Sequence, residues 1–363
     1  MMIWPAHGEI KRRKRKRVLS RTIDPCDSAP VDFSLSLGRD LVPFSPIDSS
    51  RSPMARRIFV DTDTASDDAV ALLMAFKHCS DSLVGIGVVA GNVPLEQAIQ
   101  NALFVRELCN SQTPVYAGAA RPLVRPLETA QNVHGKDGMG DIGLPIGGRI
   151  PNKGHAAHAL IDAAEQYAGV LELVTLGPLT NIALALSLSP RVAEQIKRCV
   201  IMGGTSDSYG NVTPVSEFNI WADPEAAEIV FASDLKKVMV GWDISRKYAV
   251  FSDAEAAQLR AIGTEKAQIA VNSQIVVRQF CENETGIDGF DLPDPIAMAV
   301  ALSDQTIVRS EEASVTVDLT NGTTRGMTII DDRNYVKRKK TTTIVLEVDR
   351  QHFVQLLKRA FEK

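Results

Sequence analysis

From residue 57 onward, apolar runs of two kinds alternate along the chain. Short unbroken runs suit strands buried on both faces, and longer runs broken by polar positions suit helices. Ile58, Phe59 and Val60 end the first such strand, and residues 69–76 follow as an apolar helix with Ser66 or Asp67 as its N-cap. Strands are predicted at 83–90, 115–117, 171–176, 199–202, 238–240, 313–319, 327–330 and 343–346. Helices are predicted at 94–109, 155–167, just after Asn181, from Asp223-Pro224 to 231, twice within 252–284, from Asp294-Pro295 to 302, and at 353–361. Residues 118–150 form a long Gly/Pro-rich loop containing His134-Gly135-Lys136-Asp137-Gly138-Met139-Gly140, and residues 211–219 form a second loop. Loops of the first length inside a compact domain are usually functional or disordered. Repeated βα units imply an α/β fold: a single open, mainly parallel twisted sheet with helices on both faces.

Composition changes this picture only at the N-terminus. The 363 residues are 45% hydrophobic, ample for one large domain. Residues 1–53 stand apart, however. Lys11 to Arg17 is an unbroken run of seven basic residues, and a Ser/Pro/Asp-rich stretch without periodicity follows. This segment is expected to be a disordered basic extension, and residues 54–363 the folded domain, with Met54 a plausible natural start. The basic run suits a nuclear-localisation or polyanion-binding patch, but no apolar segment follows it as in a secretory signal. The net charge of −4 hides 12 Lys/Arg against 6 Asp/Glu in residues 1–57, which leaves −10 for the remainder and argues against nucleic-acid binding by the core. Five dispersed cysteines without a C-x-x-C pair suggest a reducing, cytoplasmic setting and no structural zinc. No run of 18 apolar residues exists, so no membrane span is expected.

Candidate chemistry concentrates at the first strand end. Asp61, Asp63, Asp67 and Asp68 place four carboxylates in eight residues, between a strand and a helix, where open α/β sheets bind ligands. A like-charge pair at about 4 Å costs roughly 4 kcal/mol at an effective dielectric of about 20. A helix N-terminus offsets only about 1 kcal/mol. The group therefore calls for shared protons or a hard cation, Ca²⁺ or Mg²⁺, among all-oxygen ligands. An EF-hand loop is excluded, because positions six and twelve are Ser66 and Leu72 rather than Gly and Glu. A Mg²⁺-dependent haloacid-dehalogenase-like phosphatase fits Asp61 and Asp63, but its threonine is displaced to Thr64 and its later acidic motif is missing.

The pattern D-x-D-x-x-x-D-D, by contrast, is complete. It is followed in order by V-A-G-N at 89–92, H-G-x-x-G-M-G at 134–140, L-G-P-L-T-N at 176–181, M-G-G at 202–204, N-x(5)-E-F-N at 211–219 and D-P at 294–295. From Arg57 to its end the chain resembles the inosine–uridine-type nucleoside hydrolases. The resemblance implies Ca²⁺-dependent hydrolysis of the N-glycosidic bond of ribonucleosides, by a homodimer or homotetramer. It implies that Asp63, Asp68, the Leu176 carbonyl and Asp294 hold the ion, and that Asp63 takes a proton from the attacking water. Asp67 and Asp294 would hold the ribose 2′- and 3′-hydroxyls, with Asn92 orienting water and sugar. Asn211, Glu217 and Asn219 would hold the 5′ end, and His134, Met202 and Phe218 would surround sugar and base. Asp61 is expected to sit behind the site and fix the loop, and Trp221 and Trp242 to be core residues.

One position departs from the pattern. Many base-nonspecific members carry His directly before the D-P, and here Pro293 stands there without a proton to give. Arg278, Glu282, Glu284 and Asp288 are the nearby residues that a mobile lid would bring in as donors. A non-catalytic nucleoside- or ribose-binding protein on the same fold is the remaining alternative.

Overall fold

The computed structural model describes residues 55–207, 209–333 and 338–363; the basic extension and the start expected at Met54 lie outside the described residues. Among the described residues twelve strands form: β1 Arg57–Thr62, β2 Leu83–Val88, β3 Val115–Ala117, β4 Asn152–His155, β5 Leu171–Thr175, β6 Ile196–Met202, β7 Lys237–Val240, β8 Val250–Phe251, β9 Phe290–Asp291, β10 Ile307–Val317, β11 Thr328–Asp331 and β12 Thr342–Val348. Ten of them make one sheet in the order β11-β10-β12-β7-β6-β5-β1-β2-β3-β4, and β8 pairs with β9. Neighbours from β12 to β4 run parallel, while β10 runs antiparallel to both β12 and β11. The mainly parallel α/β sheet expected from the pattern is therefore present.

β1 shows why its apolar run is unbroken. Ile58 and Val60 enter one hydrophobic core and Phe59 enters a second. Successive side chains point to opposite faces, so a strand covered on both sides needs apolar residues at every position. The first core also takes the buried helices Ser66–Cys79 and Pro293–Leu302. The second takes Ala156–Gln166, Thr180–Leu188 and Pro224–Ala232.

The strand order explains the position of the site. β1 lies between β2 and β5, and successive crossovers move away from it on both sides. The sheet therefore has a topological switch at β1/β5, and ligands bind at the carboxyl ends of such strands. Two bonds tie those ends together: Leu176 N–H donates to the Asp61 carbonyl at 2.8 Å and Val89 N–H to that of Thr62 at 3.0 Å.

Several local expectations are corrected. The first helix is capped at Ala65, not at Ser66 or Asp67. Its cap bond comes from inside the helix, since the Asp68 carboxylate accepts Ala65 N–H at 2.9 Å. Asp67 and Asp68 thus stand in the first turn. The long loop contains a short helix, Gln131–His134, and β4 follows it directly as a sheet-edge strand whose residues are mostly exposed, with no apolar alternation to reveal it. The second loop ends in a short helix, Phe218–Ala222. A helix at Trp242–Tyr248 escaped notice because it spans only seven residues. Residues 253–285 form three helices and a π turn rather than two helices.

Candidate active site

All four aspartates of the first strand end are buried, but they do different things. Asp61 does not line the cavity. Its Oδ2 accepts from Asn181 Nδ2 at 2.9 Å, and the same amide donates to the Val88 carbonyl at 3.2 Å while its oxygen accepts Ala119 N–H at 2.8 Å. Asn181 therefore clamps the ends of β1 and β2 and the loop after β3, using the last residue of the L-G-P-L-T-N stretch. Burial pushes the Asp61 carboxyl up to about 7, against the lowering effect of Asn181. The supporting role expected for Asp61 agrees with this placement.

Asp63 lies in a backbone cradle. Its Oδ2 accepts Asn92 N–H at 2.6 Å, and its Oδ1 is buried without a partner. A Cβ on Gly91 would lie 2.1 Å from Oδ2, and one on Gly177 would lie 2.7 Å from Oδ1. Both glycines are needed so that the loops after β2 and β5 can close on the carboxylate. Gly177→Ala is accordingly expected to displace Asp63 and slow turnover by about 10²-fold, the usual cost of a misplacement near 1 Å. Kinetics beside a melting curve check this, and wild-type turnover in a well-folded variant would contradict it.

Asp67, Asp68 and Asp294 converge, with carboxylate oxygens all within 4.8 Å of one another. Asp68 accepts from the Thr62 hydroxyl as well as from Ala65 N–H. Asp294 arrives from the first turn of Pro293–Leu302, after Pro293 at the first helical position. Asp63, Asp68 and Asp294 are all pushed above the ordinary carboxylate range, first by burial and then by neighbouring aspartates. Asp67 Oδ1 and Asp63 Oδ1 are buried and unpaired. Buried oxygens of this kind need a counter-charge, and an all-oxygen donor set fits a hard divalent cation.

These groups open into a cavity of about 460 Å³, within the range of small-molecule sites. Asp67, Asn92, His134, Leu176, Met202, Asn211, Glu217, Phe218, Asn219 and Asp294 all line it, so the structure brings these sequence-expected residues together. Asp63 and Asp68 stand behind its surface. Some of the lining groups are already engaged. Glu217 caps Phe218–Ala222, its carboxylate accepting N–H groups of Asn219, Ile220 and Gly204, and burial pushes it up to about 7. Asn219 Nδ2 donates to the Leu176 carbonyl at 2.8 Å, leaving that oxygen one lone pair. Asn211 Oδ1 accepts Phe218 N–H at 2.8 Å.

Other expectations change. Trp221 and Trp242, taken from the sequence as core residues, both line the cavity; Trp242 is also buried in the core, and Arg125 stacks 3.8 Å over Trp221. Arg278, Glu282, Glu284 and Asp288 do not line it. Arg278 instead binds Asp253 and Asp288 near Glu282, outside the cavity. The cavity is lined further by Arg246, Phe280, Cys281, Thr285, Ile287, Asp291 and Pro293. Asp291 is buried, accepts from Ser245 Oγ at 3.2 Å, and is pushed up to about 6 mainly by burial. Nothing in the sequence marked Arg246 or Asp291, since neither belongs to a motif.

Known proteins match this arrangement. The family described as inosine-uridine preferring nucleoside hydrolase matches residues 58–355. A pyrimidine-specific ribonucleoside hydrolase from Salmonella enteritidis is 36% identical over 306 residues, covering 84% of this chain and 97% of that protein. An inosine-uridine preferring nucleoside hydrolase from Leishmania major is 34% identical over 313 residues, covering 85% and 98%. Among solved structures, a plant nucleoside hydrolase superposes with a TM-score of 0.80 at 28% identity, covering 85% of this chain and 100% of that one. A purine-preferring ribonucleoside hydrolase from Gardnerella vaginalis does so with 0.78 at 29%, covering 84% and 98%. The strand-end aspartates, the cavity they open into and these matches along the whole described domain agree: the chain belongs to the inosine–uridine preferring nucleoside hydrolase family and is a ribonucleoside N-ribohydrolase.

Proposed function

We propose that this enzyme holds one Ca²⁺ at its strand-end carboxylates while it cleaves ribonucleosides to free base and ribose. The observation that carries the reading is the convergence of Asp67, Asp68 and Asp294, of which Asp67 and Asp294 line the cavity. Asp68 and Asp294 are the core of the ion site. Asp63 and the Leu176 carbonyl would join them in holding the ion, and Asp67, which lines the cavity, would hold the ribose. A hard divalent ion here supplies the charge that offsets the carboxylates and makes water more acidic.

The chain's own groups do the rest. Asp63, fixed through Oδ2 by Asn92 N–H, keeps Oδ1 free to accept the proton of the attacking water. Asp67 and Asp294 accept hydrogen bonds from the 2′- and 3′-hydroxyls, which selects ribose over 2′-deoxyribose. Asn92 orients water and sugar, while Asn211, Glu217 and Asn219 receive the 5′ end. His134, Met202 and Phe218 enclose sugar and base and exclude water. The carboxylates also face the positive charge that develops on the sugar as the glycosidic bond breaks.

Product analysis tests the reading. A ribonucleoside panel should yield free base and ribose, and release of phosphate from phosphorylated substrates should be absent. Binding without turnover would instead favour a ribose-binding protein. The relatives divide between pyrimidine and purine preference, so the same panel reads out base choice. A homodimer or homotetramer is the expected assembly, read by sedimentation. The four described cysteines are unpaired thiols, which suits a cytoplasmic setting.

Residues 1–53 are proposed to be an extension outside the catalytic unit. The sequence of residues 1–53 lacks the apolar periodicity that builds a core. A chain starting at Met54 is therefore expected to melt and turn over like the full chain. A large loss of either on truncation would show that the extension contributes to the domain.

A further inference from the structure

His134 is held from behind by Ser66, which fills an unspecified position of the D-x-D-x-x-x-D-D pattern, and by Gln274, which belongs to no motif. Its Nδ1 lies 3.1 Å from Ser66 Oγ and 3.6 Å from Asp67 Oδ1. Ser66 is fully buried, and its Oγ is 3.1 Å from Oε1 of Gln274, which is also buried. The orientation of the Gln274 amide follows from its surroundings. Its nitrogen faces the Ser66 carbonyl at 2.9 Å, the Ala270 carbonyl at 3.3 Å and Ser273 Oγ at 3.3 Å. Turning the amide over would set oxygen against two carbonyl oxygens.

Gln274 Oε1 must therefore accept, and the single hydroxyl proton of Ser66 goes to it. Ser66 Oγ then has only lone pairs to offer His134. Asp67 Oδ1, the other neighbour of Nδ1, is a carboxylate oxygen and also accepts. The hydrogen bond to Ser66 requires a proton on Nδ1, and the Asp67 carboxylate oxygen nearby favours one there. In a neutral imidazole the other nitrogen is then bare. Nε2 makes no hydrogen bond among the described residues, and His134 lines the cavity.

We infer that Ser66 and Gln274 are positioning residues for His134: they keep its proton on Nδ1 and present the Nε2 lone pair to the substrate as a hydrogen-bond acceptor. The inference rests on the cavity being the ribonucleoside site. It gives His134 a binding role, receiving a hydroxyl or N–H of the substrate, rather than that of proton donor to the leaving base. It also ties the wall to the catalytic loop, because Gln274 caps the cavity-lining helix Ile275–Phe280 while Ser66 opens the helix that carries Asp67 and Asp68.

The first test needs no variant. The chain has six histidines, so nitrogen-15 histidine labelling with His134→Gln for assignment resolves this ring. In free wild-type protein Nδ1 should be protonated and Nε2 bare; a protonated Nε2 overturns the proposal. In Gln274→Met, a change of similar volume, the Ser66 proton is released to turn toward Nδ1, and the spectrum should shift toward the Nε2-protonated form. Kinetics on inosine give the second test. Gln274→Met and Ser66→Ala should each raise KM about tenfold with kcat nearly unchanged, as expected for one hydrogen bond made equally in ground and transition states. A fall in kcat with unchanged KM overturns the binding role.

Two analogues identify the donor. If the wild-type advantage disappears with 5′-deoxyinosine, the 5′-hydroxyl is the group received, and if it disappears with 1-methylinosine, the base N–H is. Persistence with both overturns the proposal. Wild-type protein that cleaves no ribonucleoside would overturn the reading of the cavity itself, and active protein with a protonated Nε2 would overturn only this inference.

Discussion

Asp68→Ala is expected to retain no divalent ion and to cleave ribonucleosides about 10³-fold more slowly than the wild type, or worse. Charge stabilisation by a bound cation is typically worth several kcal/mol, and each 1.36 kcal/mol is a factor of ten in rate. Asp68 is chosen because it touches everything around it: it bonds the Thr62 hydroxyl and Ala65 N–H, and it stands within 4.8 Å of Asp67 and Asp294. The substitution also removes the bond that caps the first helix, a loss of about 1 kcal/mol. Asp68→Asn keeps an oxygen for the cap while removing the charge, so it separates the two effects. Ion content by elemental analysis and product formation by chromatography measure the outcome. Full ribohydrolase activity in thoroughly chelated wild-type protein would refute the metal role, and restoration by Ca²⁺ rather than Mg²⁺ would identify the ion.

The second large effect concerns the leaving base. Help from a general acid is typically worth roughly 10²- to 10⁴-fold, and Pro293 has no proton to supply. It lies on the cavity wall at the start of its helix, so the position faces the substrate but is chemically silent. The four residues nominated from the sequence as donors lie off that wall. His134 holds its proton on the side away from the cavity, if the relay through Ser66 acts as inferred. Burial pushes the Cys281 thiol up to about 11, which makes it a poor proton source. An activated substrate such as p-nitrophenyl riboside needs little protonation and is expected to be cleaved about 10²-fold or more faster than inosine or uridine. Equal rates, with chemistry shown to be rate-limiting, would mean that a donor is already in place. Asp291, a buried carboxyl on the wall pushed up to about 6, would then be the first residue to replace, by asparagine. Pro293→His should recover part of the natural-nucleoside rate wherever the ring reaches the base.

Much of the molecule was legible before any coordinates. The unbroken apolar run of β1 encodes a doubly covered strand, because both faces of a parallel sheet demand apolar residues. D-x-D-x-x-x-D-D directly after it marks a strand end, where local chain direction alone brings carboxylates together. The L-G-P-L-T-N stretch carries its own reason in Asn181, which bonds three neighbouring segments. These features are written in contiguous residues, and contiguous residues suffice to determine fold class, site location and family.

Tertiary structure decided what depends on distant pairs. Ser66 and Gln274 are 208 residues apart, and neither has a local pattern to reveal that one orders the other's proton. Trp221 read as core, and Trp242, which is core, was not read as cavity lining as well, because an apolar residue looks the same in sequence whether it faces packed side chains or a cavity. The convergence of Asp67, Asp68 and Asp294 needed the helix Pro293–Leu302 to dock against Ser66–Cys79. The wall formed by Arg246, Cys281 and Asp291 comes from short helices and a two-residue strand, elements too brief for periodicity to announce. Local propensity reports how a segment prefers to fold, but which polar groups end up sharing a buried space is set by packing between segments, and that is where substrate choice and proton placement are determined.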